Sequence, residues 1–184
     1  MSRISRNLGR LEALSETLEK LVDKMPQIRN DVGVKLANAG WDEANGILQD
    51  HVWSGETIGS LTAEIGENRT FKASSMDTFL VYMESPAAMF VEFGAGVIYG
   101  AGHPFAAELG MGPGTFPGQT HAFNPNGWWF KTDDPKLATK TDRYGYYWHH
   151  SYGNPPHMPM YHAARAVVRK APQVAAEVVR SVLK

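Results

Sequence analysis

The N-terminal segment constrains the fold most. Ile4, Leu8, Leu11, Leu14, Leu18, Leu21 and Met25 recur at spacings of three and four, the period that gathers side chains on one face of an α-helix. Arg10, Glu12, Glu16, Glu19, Lys20 and Lys24 fall between them and give the polar opposite face. Pro26 interrupts the pattern and suits the first turn of a helix, where its missing N–H removes no bond. A second helix is therefore expected from there, carrying Ile28, Val32, Leu36, Ala39, Ala44, Ile47, Leu48 and Val52. Gly33, Gly40 and Gly46 weaken it by up to about 1 kcal/mol each relative to Ala. Such a helix needs a surface to lean on, and its small residues let a neighbouring element come close.

Ser54-Gly55-Glu56-Thr57 ends the helical region, and the hydrophobic period then changes. Leu61–Ile65, Thr70–Ala73 and Thr78–Glu84 are short runs with β-branched or aromatic residues, the pattern of strands. Gly66-Glu67-Asn68 and Ser74-Ser75-Met76-Asp77 suit the turns of an antiparallel meander. Pro86–Phe93 reads as a short helix stopped by Gly94. From Gly94 to Gly127 the chain is rich in Gly, Pro, Phe and His and has no period; a loop of that length is functional or waits for a partner to order it. We expect ordering on assembly. Two aromatic strands follow, Gly127–Lys131 and Tyr144–His150, joined by a polar connection with Lys136, Lys140 and Arg143. After the Gly153-Asn154-Pro155-Pro156 turn, Met158–Lys184 is helical, with Pro172 expected to kink or restart it. Helices, then a meander and aromatic strands, then a helix make an α+β fold. Residues 1–184 read as a single domain, with helices over residues 1–53, a sheet with its long loop over 54–152, and the C-terminal helix over 153–184.

Composition removes several function classes. Net charge is −1, with acids and bases mixed along the 184 residues. A duplex-binding domain carries a basic excess, so DNA is expected to be met only non-specifically. Arg165, Arg169, Lys170, Arg180 and Lys184 form the nearest thing to a basic face and read as a solvated helix end. The absence of cysteine excludes disulfides and thiolate chemistry. No apolar run approaches the roughly 20 residues that span a bilayer, and no signal core is expected. The cytoplasm of the host, or a particle assembled in it, is the expected compartment.

The chemistry-bearing groups do not assemble into a known motif. His149 and His150 are adjacent on a strand and point to opposite faces. His157 and His162 lack the spacing of a zinc-protease helix. The 94–100 glycine run is not a phosphate-binding fingerprint, because its third glycine comes one residue late. No nucleophile elbow occurs, and Asp133-Asp134 reads as a solvated turn. No catalytic residue, metal or cofactor is therefore expected. The rival from another class is a metal-dependent hydrolase using His103, His121, His149 or His157. Trp128, Trp129, Phe130, Tyr144, Tyr146, Tyr147, Trp148 and Tyr152 crowd one region. They suit either a two-sided core or a subunit interface, whose centre is enriched in such residues.

Phe90-Val91-Glu92-Phe93-Gly94-Ala95-Gly96 resembles the Tyr-Val-Glu-Phe-Gly-Thr-Gly signature of a family of minor structural proteins of long-tailed phages. These are the tail-completion, head–tail joining or neck proteins. Gly153, Pro156, Pro159, Met160, Ala163 and Ala164 resemble that family's Pro-rich opening of the last helix, and Ser54-Gly55 with Ser60-Leu61 a shorter upstream motif. The resemblance implies an α+β subunit of a ring, sixfold, that joins the head-side connector to the tail at the head–tail junction of the virion. Its partners would be further copies and other neck, connector and tail proteins; a tail terminator or other neck ring is the variant within the class. Motif and interface candidates are then Phe90, Glu92, Phe93, Gly94, Gly96, Trp128, Trp129, Tyr147, Trp148, Pro159 and Met160. Among these, Glu92 sits in apolar company and must find backbone N–H groups or a cation. It is expected to pin the glycine turn from which the long loop departs.

Overall fold

The computed structural model describes residues 3–50, 70–73, 76–79, 81–83, 87–99 and 102–183. Its helices are α1 (Arg3–Asp50), α2 (Ala88–Phe93) and α3 (Pro159–Val182). Strands β1 (Thr70–Ala73) and β2 (Met76–Phe79) form an antiparallel pair. Strands β3 (Trp128–Thr132), β4 (Lys140–Thr141) and β5 (Tyr147–Ser151) form an antiparallel sheet in the order β3-β5-β4. The α+β expectation holds. The strand expected at Leu61–Ile65, the Gly66-Glu67-Asn68 turn and the Ser54–Thr57 helix stop lie outside the described residues.

Two helix boundaries differ from expectation. Pro26 does not separate two helices, because α1 continues through it. Pro26 is exposed, so water can serve the carbonyl that proline leaves without a donor. Pro172 lies inside an unbroken α3 for the same reason, since it and Val168, the residue one turn earlier, are both exposed. The strands differ too. Met76, expected in a turn, opens β2. The last strand starts at Tyr147 instead of Tyr144, and Lys140–Thr141 of the expected polar connection pairs with it.

The chain divides into two compact units, residues 1–44, 65–82 and 162–184 in the first, and 45–64 and 83–161 in the second. In the first, Ala44 and Ala163 are buried with Trp41 and Val81 against them. The small residues of α1 permit this: a Cβ on Gly40 would lie 3.0 Å from Val167, and one on Gly33 would run into the Phe79 ring. Lys35 pairs with Glu177, and Arg169 with Glu43 at 3.6 Å. These pairs are exposed, worth at most about 1 kcal/mol each.

In the second unit, Leu48 and Val91 are buried with Met83. A larger cluster joins Phe93 to Ala106 and Phe116 with Met89, Phe90 and Met111 around them. The long loop therefore brings its own core. Phe116 meets Phe90 edge-on at 5.1 Å, and successive turns close through Ala106 N–H to His103 O (3.1 Å), Leu109 N–H to Phe105 O (3.0 Å) and Met111 N–H to Ala106 O (2.7 Å). Residues 102–127 thus pack on α2 through Ala106, Met111 and Phe116. The apolar residues scattered among the glycines find a surface in α2.

Candidate functional site: the Glu92 junction

The short helix α2 has no side-chain cap at its N-terminus. Its C-terminal carbonyls are served by a segment more than sixty residues further along the chain. Asn154 donates its side-chain N–H to Phe90 O (2.7 Å), and His157 N–H donates to Val91 O (2.8 Å). Ala95 and Asn154 exchange backbone bonds of 2.9 and 3.2 Å, so the glycine turn and the Gly153-Asn154-Pro155-Pro156 turn form one bridge. The approach demands glycine. Gly94 and Gly96 have φ of 76° and 85°, and a Cβ on Gly94 would meet Pro156 N at 2.8 Å and Asn154 O at 2.9 Å.

Glu92 lies at the centre and is 7% exposed. Its Oε2 accepts the Met160 N–H at 2.8 Å and its Oε1 the Tyr161 N–H at 2.9 Å. These are the second and third residues of α3, whose amides an N-cap side chain ordinarily satisfies. The preceding Met158 has no side-chain oxygen to cap with and sits at φ 56°. Pro159, fully buried, occupies the first helical position, where it lacks only an N–H that would have had no partner. The cap is thus supplied from a distance by Glu92, and the anion lies at the positive end of the helix dipole.

His103 supplies the third hydrogen bond, Nε2 to Glu92 Oε1 at 3.2 Å. The Phe105 N–H donates to His103 Nδ1 at 3.1 Å. Nδ1 is therefore the acceptor, and the proton of the neutral ring sits on Nε2, pointing at the carboxylate. Phe93, Tyr161 and Phe105 surround the imidazole at centroid distances of 4.6, 5.5 and 6.2 Å. Glu92 thus fastens the loop at His103 and α3 at its first turn. It does not bond to the glycine turn it was expected to pin, although it did find backbone N–H groups. Three of the roughly four acceptor sites of its carboxylate are taken up by structure.

Beside this junction is a cavity of about 160 Å³ lined by Phe90, Gly96, Gln119, His121, Trp128 and Ser151, among others, and by neither Glu92 nor His103. The Gln119 side-chain amide is buried with neither its oxygen nor its nitrogen hydrogen-bonded. His121 stacks on the half-buried Trp128 at 5.5 Å.

The remaining aromatic candidates lie on the β3-β5-β4 sheet. Trp129 and Phe130 are 44% and 41% exposed although they point to opposite faces. Tyr144, Tyr146 and Tyr147 are exposed as well, and Trp148 is half-buried. The two-sided core is therefore not what these residues build. Cations stand on the rings: Lys140 lies 3.9 Å from the Trp129 centroid and Lys131 3.4 Å from Tyr146. The tip of the hairpin is held by Asp142. Its Oδ1 accepts the Tyr144 and Tyr146 amides at 2.9 and 3.1 Å and its Oδ2 the indole N–H of Trp148 at 3.0 Å. The Trp148 bond is the main reason its carboxyl titrates below the usual range; the two amides and Lys131 act the same way.

The histidines proposed for a metal do not converge. His103 is committed to Glu92, His121 stacks on Trp128, His149 Nδ1 bonds Leu137 O at 2.6 Å, and His157 lies on the segment whose backbone N–H bonds Val91 O. Among the described residues no three His, Asp or Glu side chains gather as a metal site. Sequence reasoning missed Asn154, Asp142, Gln119 and the pairing of His103 with Glu92. Only Asn154 carried a signal, lying in the Gly153-Asn154-Pro155-Pro156 turn between two residues of the resemblance, Gly153 and Pro156. No family model matches the chain, and neither a curated protein nor a solved structure does.

Proposed function

We propose that this chain is a structural subunit of the head–tail junction of a tailed phage, a ring component that joins the connector to the tail by contact and without turnover. One observation carries the reading. The stretch Phe90–Gly96 and the opening of the second stretch that resembles the phage family, which runs from Gly153 to Ala164, are joined by hydrogen bonds at Phe90, Glu92 and Ala95. Gly94 and Gly96 admit the close approach, and Glu92 caps the last helix. A motif used in this way specifies a shape rather than a reaction. The exposed aromatic sheet supports the same reading, since rings left open on both faces are suited to burial against neighbouring subunits.

The test is negative-stain imaging of the purified protein, alone and mixed with capsids and tails of its own phage. Rings, or added density at the collar, are expected. A protein that forms no ring and binds neither heads nor tails overturns the proposal.

A further inference from the structure

Among the described residues, one edge of the aromatic sheet is unpaired. β5 is the central strand, with β4 on one side and β3 on the other. The hydrogen bonds on the β4 side show which residues of the β5 segment turn that way. Asp142 N–H donates to Tyr146 O (3.0 Å), Thr139 N–H to Trp148 O (2.8 Å), and His150 N–H to Thr139 Oγ1 (3.1 Å). The N–H and C=O of one strand residue point to the same side, and the side alternates along the strand. Tyr147, His149 and Ser151 therefore turn towards β3, where their register partners Thr132, Phe130 and Trp128 bond them. That leaves the N–H and C=O of Trp129 and Lys131 pointing out of the sheet. No hydrogen bond from elsewhere among the described residues reaches them. From Trp128 to Thr132 the edge also lacks a proline or a bulge, the devices that ordinarily blunt one, and Lys131 is its single charge.

A main-chain edge of this kind takes an extended strand, and the residues along it select which. All of its free groups are bonded when Trp129 lies opposite Lys131 of an antiparallel second β3, each such pair exchanging both its bonds. Phe130 then faces Phe130, and Lys131 meets an indole, which attracts a cation, instead of another lysine. The neighbouring registers fail. A slip of two residues one way sets Lys131 against Lys131, where like charges repel. A slip of two the other way sets Lys131 against Gly127, whose N–H already donates to Asn124 O (3.2 Å) and whose C=O already accepts the Asn124 side-chain N–H (2.6 Å). A parallel copy in register again sets lysine on lysine. We propose that β3 pairs with β3 of a second copy of this chain, antiparallel and centred on Phe130, so that the two sheets merge into one. Such a contact closes on a pair of copies. It goes beyond the head–tail reading and does not rest on it.

Amide hydrogen exchange of the full chain over a range of concentrations, followed alongside sedimentation velocity, tests the pairing. The amides of Trp129 and Lys131 should exchange freely in the dilute monomer and gain at least tenfold protection as the pair forms. Those of Phe130 and Thr132, bonded to β5, should be protected throughout. Lys131→Pro removes an N–H that bonds nothing within the chain, a place where an edge strand tolerates proline. It should weaken association at least a hundredfold and leave Phe130 and Thr132 protected. Since the chain has no cysteine, Phe130→Cys provides a single thiol at the centre of the pairing, where facing Cα atoms lie about 4.5 Å apart, and it should cross-link to itself on oxidation. Thr132→Cys, on the same face, should not, because its counterpart lies beyond the roughly 7 Å that a disulfide spans. The cross-linking pattern decides independently of whether the proline variant folds. A chain that stays monomeric, a dimer whose Trp129 and Lys131 amides still exchange freely, or cross-linking at Thr132 in place of Phe130 overturns the inference. Dimers that respond as expected but bind neither heads nor tails would overturn only the proposed function.

Discussion

Two carboxylates in the second unit each accept three N–H hydrogen bonds, and they serve opposite environments. Glu92 takes two first-turn amides of α3 and the imidazole of His103, and it is 7% exposed. Asp142 takes the amides of Tyr144 and Tyr146 and the indole of Trp148, at the tip of an exposed hairpin. The inventory of bonds is the same. What differs is the alternative open to the donors if the carboxylate goes. Around Asp142 water replaces it. Around Glu92 nothing does, because an orphaned buried donor bears the full desolvation penalty of its group. Burial rather than bond count should therefore decide how far each residue's loss spreads.

The largest effect is expected at Glu92. Glu92→Ala removes the long-range cap and leaves His103 without its acceptor, and should lower stability by about 3 kcal/mol. Denaturant unfolding measures it. Glu92→Gln, which keeps one acceptor oxygen for the cap, should recover some of that loss. A drop below about 1 kcal/mol for the alanine variant would mean the junction is wetter than its burial implies, and the comparison with Asp142 would collapse.

Next comes Gly94→Ala. The substitution forces a side chain into a left-handed backbone and against Pro156 and Asn154. It should cost about 2 kcal/mol. Hydrogen exchange locates the damage: the amides of Ala95 and Asn154, which form the bridge, should lose protection first. Protection lost first in the β3-β5-β4 sheet would show that the two regions are not energetically separate.

How much of this is legible in the sequence depends on how far apart the interacting residues lie. The helical period of α1 and α3 and the strand character of the aromatic runs are local, and they are readable. Pro26 and Pro172 mislead because the sequence does not show that water can serve the carbonyls they free. The glycine pair after α2 is readable as a sharp turn, but its cause, Asn154 and Pro156 lying against it, is a contact between distant segments. Glu92 announces its need for donors, since a carboxylate among Phe90, Val91 and Phe93 cannot stay unpaired. Which donors meet that need is not written nearby: Met160 and Tyr161 lie far along the chain, and His103 lies inside a stretch with no period. The aromatic sheet fails in the other direction. Alternation shows which residues share a face and says nothing about whether that face is covered.

A smaller effect is expected at Gln119, the converse of Glu92: a buried polar side chain whose amide atoms have no hydrogen-bond partner. Gln119→Leu removes two unsatisfied atoms, so stability should stay within about 1 kcal/mol of wild type or rise. If the isolated protein is instead clearly destabilised, the amide has found partners in solution, and its cavity is wetter or more tightly closed than the structure shows.

The smallest global effect belongs to Asp142, and it carries a pH signature. The folded carboxyl titrates below its ordinary range, chiefly through the Trp148 bond. A group with a depressed folded pKa binds its proton more readily in the unfolded chain, so its contribution is fully present above the unfolded value and disappears as pH falls through the folded one. Titration into acid, below the ordinary carboxylate range, should therefore loosen the 142–148 turn, read as a change in Trp148 fluorescence. The denaturation midpoint at neutral pH should hardly differ between wild type and Asp142→Asn, because the freed amides and indole turn to water. In Asp142→Asn the acid-dependent step in fluorescence should vanish, since no proton remains to be taken up there. If that variant instead unfolds as readily as Glu92→Ala, exposure has been overrated, and the number of hydrogen bonds, not their shelter from water, governs both carboxylates.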